Sequence, residues 1–282
     1  MAALSALLLL VGVTPEARVT AHAASPVVGG ASIHGLDDTV RPHTVFGSGY
    51  DLIGSDGGVF VFSTGNPLVG GFFGSLPQLG IKVKNIVGIT PTNNYSGYDL
   101  VGSDGGVFVF PVGQSNGYFG SLPQRGINVN NIAGIAVTPD DKGYWLLSSD
   151  GIVYPFGDAQ SFGDNIAYCL GGIFPFGCVQ RLPGARFVGI ASTPDGKGYW
   201  LVTSTGQVLN LGDAPSLGQT DGDPAIHIVS IVPTSDGQGY WLVASDGGIY
   251  AFGDAPFIGS LPGLGLRVDN VEGAVPTEWL QP

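Results

Sequence analysis

Charge is scarce in this chain: 11% of its 282 residues are charged, and Lys and Arg together number only ten. Those ten are scattered without a cluster, against a net charge of −12. Nucleic-acid binding needs a basic patch to neutralise phosphates, so that class is excluded, and docking on an anionic membrane surface is disfavoured on the same ground. Helix signals are missing as well. After residue 25 no window carries apolar residues at i, i+3, i+4 and i+7 free of Gly or Pro. Past that point the only glutamates are Glu272 and Glu278. A glycoside hydrolase, the enzyme alternative, requires an acid and a base or nucleophile at controlled separation. Most aspartates here recur with a repeat, which marks scaffold. His34, His43 and His227 are isolated, and no Gly-x-Ser-x-Gly nucleophile motif is present. No triplet has the makings of a metal site, so neither metal nor cofactor is expected; Asp221-Gly222-Asp223 offers two carboxylates, too few for calcium.

What the chain does have is 48 glycines, 20 prolines and 44% hydrophobic residues. That mixture fits an all-β protein that buries its strands and turns tightly and often. Ala2 to Val13 is a short apolar run, too short to span a bilayer, and Ala21-His22-Ala23 offers small residues suited to cleavage. Residues 1–23 therefore read as a signal peptide, although no Lys or Arg precedes the apolar run. The expected location is secreted or cell-surface, with no membrane insertion after cleavage. The two cysteines fit that compartment. Cys169 and Cys178 flank an insertion and are expected to form a disulfide that staples a short loop.

Self-similarity decides the architecture. Gly49-Tyr50-Asp51-Leu52-Ile53-Gly54-Ser55-Asp56-Gly57-Gly58-Val59-Phe60-Val61-Phe62 is repeated almost unchanged from Gly97 to Phe110. Further copies start at Gly143-Tyr144-Trp145, Gly198-Tyr199-Trp200 and Gly239-Tyr240-Trp241. The tyrosines step by 48, 46, 55 and 41 residues, and the long step contains the cysteine insertion. A period in the mid-forties matches one four-stranded propeller blade. Each unit shows four apolar segments: one like Ile86-Val87-Gly88-Ile89, the Gly-Tyr stretch, one like Val59-Phe60-Val61-Phe62, and one like Phe72-Phe73-Gly74-Ser75-Leu76. Asp-Gly between the second and third suits a type I′ hairpin turn. With Asp246-Gly247 as that turn, Val243 faces Tyr250 and Trp241 faces Phe252. One face then carries Trp241, Val243, Tyr250 and Phe252; the other carries Tyr240, Leu242, Ala244, Ile249 and Ala251. Both faces are apolar, which suits sheets stacked around an axis and not a sheet wet on one side.

The expected fold is an all-β propeller of five blades, each of four antiparallel strands. Residues 49–282 form the repeat domain, and residues 24–48 an extension or partial blade. Val271-Glu272-Gly273-Ala274-Val275-Pro276-Thr277 repeats a first segment with no unit after it, and is expected to supply the missing strand of blade one and close the ring. Six blades, the extra one built from residues 26–48, is the alternative.

Residues 239–255 come close to the consensus Gly-Tyr-Trp-Leu-Val-Ala-Ser-Asp-Gly-Gly-Ile-Phe-Ala-Phe-Gly-Asp-Ala, and over residues 49–277 the chain resembles exported repeat proteins of actinobacteria. Such repeats occur alone or appended to cell-wall hydrolases, which implies work at the envelope. The blade number is also similar to that of the tachylectin type of sugar-binding propeller, a likeness of architecture alone.

Comparison between units yields the candidate site. Trp145, Trp200 and Trp241 are each followed thirteen residues later by an aspartate, Asp158, Asp213 and Asp254. Units one and two lack both and carry Asp51 and Asp99 in the Trp position. Co-variation implies contact. Either each pair is structural, the indole N–H donating to the carboxylate, or an exposed Trp stacks on a sugar while the Asp accepts from its hydroxyls. That the position accepts Asp suggests it is not deep core. The turn residues Asp56, Asp104, Asp150 and Asp246 are explained by turn geometry. The leading expectation is a non-enzymatic extracellular module binding glycan or cell-envelope polymer through repeated, individually weak sites. The alternative is a structural or protein-interaction module whose partner is a surface protein.

Overall fold

The computed structural model describes residues 42–43, 49–63, 72–92, 97–110, 117–164, 182, 184–269 and 271. Cys169 and Cys178, the leader and residues 272–282 lie outside them. Among the described residues, regular structure consists of strands and three short 3-10 turns. The strands form five antiparallel sheets of three, each in sequence order. Sheet one holds β1 (Pro42–His43), β2 (Gly49–Ile53) and β3 (Val59–Ser63); sheet two holds β4 (Ile86–Pro91), β5 (Tyr98–Gly102) and β6 (Val107–Phe110). Sheet three holds β7 (Ile132–Val137), β8 (Gly143–Ser148) and β9 (Val153–Gly157). Sheet four holds β10 (Phe187–Ser192), β11 (Gly198–Thr203) and β12 (Val208–Gly212), and sheet five β13 (Ile228–Pro233), β14 (Gly239–Ala244) and β15 (Ile249–Gly253).

The sheets pack through their first strands, β1 on β4, β4 on β7, β7 on β10 and β10 on β13. Close approach there depends on small residues. A Cβ added at Gly189 would stand 3.1 Å from Val202 of its own sheet and 3.3 Å from Ile231 of the next, tighter than ordinary contact. From that line the sheets fan outward, the arrangement of propeller blades. One backbone bond repeats along the stack: Ile86 N–H donates to Ser55 O, Ile132 to Ser103, Phe187 to Ser149 and Ile228 to Ser204, at 2.7–3.0 Å. Val271 N–H donates to Ser245 O in the same way at 2.8 Å, so the chain beyond sheet five starts at the next first-strand station.

Three expectations need correction. The fourth segment of each unit is not a strand. Its glycine adopts φ of 129° at Gly74 and 116° at Gly120, a proline follows at Pro77 and Pro123, and the segment turns into the 3-10 turns Pro77–Leu79 and Pro123–Arg125. It becomes an arm whose Leu76 or Leu122 is fully buried over the hairpin loop. The hairpin register is also one residue off. Val243 pairs with Ile249 and Trp241 with Ala251, because Ala244 N–H bonds Gly248 O around a three-residue loop with Gly247 at φ 76°. This is a turn closed by a glycine bulge, and the one-residue slip exchanges the faces. Trp241, Val243, Ile249 and Ala251 share one face; Tyr240, Leu242, Tyr250 and Phe252 share the other. Finally, the place beside β2 is held by Pro42–His43, His43 pairing with Asp51 and Pro42 with Leu52, while residues 272–277, expected there, lie outside the described residues.

The turn between β7 and β8 contains Asp141 at φ 57°, the sole described non-glycine residue with positive φ. Gly196 and Gly237 hold the same place in sheets four and five at 70° and 69°. Asp141→Gly should therefore raise unfolding stability by about 1 kcal/mol, read as a higher urea midpoint at unchanged slope. A lower midpoint would show that the aspartate carries a contact worth more than its backbone strain.

Candidate functional site

The paired Trp and Asp residues are brought near one another but do not bond as expected. The Trp145 indole N–H donates to Gln160 O at 2.7 Å, that of Trp200 to Pro215 O at 2.9 Å and that of Trp241 to Pro256 O at 2.9 Å. Each acceptor lies two residues past the aspartate. Trp145 and Trp200 are 0% exposed, so neither can offer a ring face to a sugar. Trp145 packs on Tyr199 with ring centroids 5.5 Å apart, and Trp200 on Tyr240 at 5.8 Å, each reaching the following sheet. Trp241 is only partly buried.

Asp158, Asp213 and Asp254 are exposed and sit where the third strand turns back into the arm. The glycine before each adopts φ of 65–70°; a Cβ there would collide with the carbonyl oxygen of Lys142, Lys197 or Gln238. The Asp158 carboxylate lies 3.4 Å from Thr138 Oγ1, and that of Asp213 3.4 Å from Thr193 Oγ1. Trp and Asp vary together because one arm conformation positions both, the aspartate at its start and the indole's carbonyl acceptor two residues on.

Five further aspartates are turn elements. Asp56, Asp104 and Asp246 accept the N–H of Gly58, Gly106 and Gly248 at 2.8, 3.0 and 2.8 Å. Asp140 and Asp195 accept from Lys142 and Lys197 at 2.9 Å, and those lysine hydrogen bonds hold both carboxyls down to about 2. Among the described residues no group of three His, Cys, Asp or Glu could hold a metal, and no helix is long and apolar enough to cross a membrane.

Asp99 stands apart. It occupies the Trp position of sheet two, opposite Thr90 and Val109, yet it is 2% exposed and its Oδ1 has no hydrogen-bond partner. The position is deep core after all. Burial, with repulsion from Asp141 second, pushes its carboxyl up to about 8.

Sequence reading missed a set of latches between sheets. The Tyr98 hydroxyl donates to Gly74 O, Tyr144 to Gly120, Tyr199 to Gly163 and Tyr240 to Gly218, each reaching the arm of the preceding sheet. In three of them the adjoining amide donates back to the phenol oxygen: Phe73 N–H at 3.3 Å, Phe119 at 3.3 Å and Phe162 at 3.2 Å. Burial raises the phenols of Tyr199 and Tyr240 to about 12. The signal was present in the recurring Gly-Tyr and Phe-Gly-Ser segments, but nothing local shows that one reaches the other.

No protein-family model and no curated protein matches this chain. Among solved structures it is similar to the β-propeller domain of Cps50 (Swd1) from Myceliophteria thermophila, at 11% identity and a TM-score of 0.46, over 76% of this chain and 64% of that one. It is likewise similar to Sqt1 from Chaetomium thermophilum, at 13% identity and 0.46, over 78% and 57%. The matched region spans less than two thirds of either protein's length.

Proposed function

We propose that this chain is a non-enzymatic, exported, propeller-type scaffold of five blades whose work is to dock a protein partner. The observation that carries the reading is the division of the aromatic residues. Trp145, Trp200 and the latch tyrosines are buried between sheets, whereas the arm of sheet five exposes Phe257 at 62% and Ile258 at 83%. An apolar, uncharged segment from Pro256 to Leu266 is suited to a protein surface and offers a sugar few hydrogen-bonding groups. The apolar run Ala2–Val13 followed by Ala21-His22-Ala23 supports export.

The reading separates from glycan recognition in one experiment. On sugar and peptidoglycan arrays the wild-type protein should give no signal, while a purified surface-protein partner should lose binding on Ile258→Ser and keep it on Lys142→Ala, in the turn between β7 and β8. Array binding abolished by Trp241→Ala would reverse the assignment in favour of the sugar.

A further inference from the structure

The seam between sheets two and three differs from the two that follow it. In sheets three and four the residue after the latch tyrosine is Trp145 or Trp200, whose indole fills the seam and packs on Tyr199 or Tyr240 of the next sheet. In sheet two that residue is Asp99, a smaller and ionisable group, and the tyrosine beyond it is Tyr144. The latch itself is unchanged. The Tyr144 hydroxyl donates to Gly120 O, Phe119 N–H donates to the phenol oxygen at 3.3 Å, and the Phe119 and Tyr144 rings meet at 5.8 Å. Arg125 of the same arm reaches sheet three, 3.7 Å over the Phe156 ring and donating to Pro155 O at 3.1 Å.

Asp99 is sealed into this seam at 2% exposure, and its Oδ1 accepts no hydrogen bond. Thr90 and Val109 flank it within its own sheet. From the arm, Gly117 comes so near that a Cβ there would stand 3.9 Å from Oδ1. Sheet three brings up the Asp141 carboxylate from its first turn, which repels a charge on Asp99, and the buried Tyr144 phenol from β8, which burial raises. Residues 93–96 and 111–116, which follow and precede described parts of sheet two in the chain, contain no Lys, Arg or His. A closed seam therefore holds the acid only in its neutral form, and its charged form needs water that closure keeps out.

We propose that this seam is a pH-operated joint: as pH rises Asp99 ionises by parting the arm of sheet two from Tyr144, while β4 and β7 stay packed at the axis. The carboxyl titrates near 3.8 where water reaches it and near 8 where the seam is shut. Between those values each pH unit should favour the parted form about tenfold, and above about 8 the gain stops. The seams filled by Trp145 and Trp200 have no such group and stay shut over the same range.

Hydrogen exchange followed by NMR on the full chain, corrected for the intrinsic pH dependence of amide exchange, tests this. Phe119 N–H should lose protection about tenfold per pH unit from about pH 5 to 8. Two amides serve as internal controls and should stay level: Phe162 N–H, which donates to Tyr199 in the next seam, and Ile132 N–H, which donates to Ser103 O beside the axis. Asp99→Asn should make Phe119 level as well. Asp141→Asn leaves Asp99 in place, lifts the repulsion, and should end the rise at lower pH. A level Phe119 in wild type would mean that the carboxyl ionises inside a closed seam, and overturns the inference. So would a rise that survives Asp99→Asn, or one shared equally by Phe162 and Ile132, which would report unfolding of the whole domain.

Discussion

Replacing Asp99 with asparagine should flatten the dependence of stability on pH between about 4 and 8. The reasoning starts from a carboxyl that is 2% exposed with an unpartnered Oδ1, whose folded-state value is pushed up to about 8 from 3.8. In the unfolded chain the group ionises near 3.8, so across that window folding takes up a proton. Stability is full below the unfolded value, falls as pH rises, and levels off above about 8. A single group held in this way contributes a slope of about 1.4 kcal/mol per pH unit. Urea unfolding of wild type and Asp99→Asn at several pH values should give curves that diverge by that amount as pH rises. Parallel curves would mean that Asp99 finds a partner or water when ionised. The groups around it are Asp141, whose charge opposes ionisation, and the buried phenol of Tyr144.

Trp200→Ala should cost about 3–5 kcal/mol, the range for removing a large aromatic from a packed core. Trp200 is 0% exposed, packs against Tyr240 of the next sheet and satisfies its indole on Pro215 O. Trp241 makes the same indole bond, to Pro256 O, but is only partly buried, so Trp241→Ala should cost less than half as much. Chemical denaturation of the two variants compares them directly. Equal losses would show that sheet five is covered in solution, by its own chain or by another copy. Dilution would distinguish these, since only cover by another copy is lost at low concentration.

The contrast between the two tryptophans shows how far sequence carries. Both sit in Gly-Tyr-Trp with an aspartate thirteen residues on, and no local feature separates them. Their surroundings differ: Trp200 is fully buried against Tyr240 of the next sheet, whereas Trp241 is only partly buried. Asp99 repeats the point: a charged residue in an apolar strand reads as a rim position, yet neighbouring sheets close over it. The hairpin misread had a different origin. Asp-Gly satisfies a two-residue turn as well as a three-residue loop ending in a left-handed glycine, and the choice decides which residues share a face.

By itself the sequence determined the repeat, its period, the β character of its segments and the positions of its turns, because those depend on residue spacing and on local backbone preferences of Gly, Pro and Asp. Tertiary structure alone decided that the fourth segment is an arm, that Pro42–His43 pair with β2, that tyrosines latch sheets two to five to the one before, and that Trp145 and Trp200 are fully buried while Trp241 is not. The latches join residues 22 to 36 positions apart, where burial and hydrogen-bond partners are set by what packs alongside and not by the neighbours in the chain.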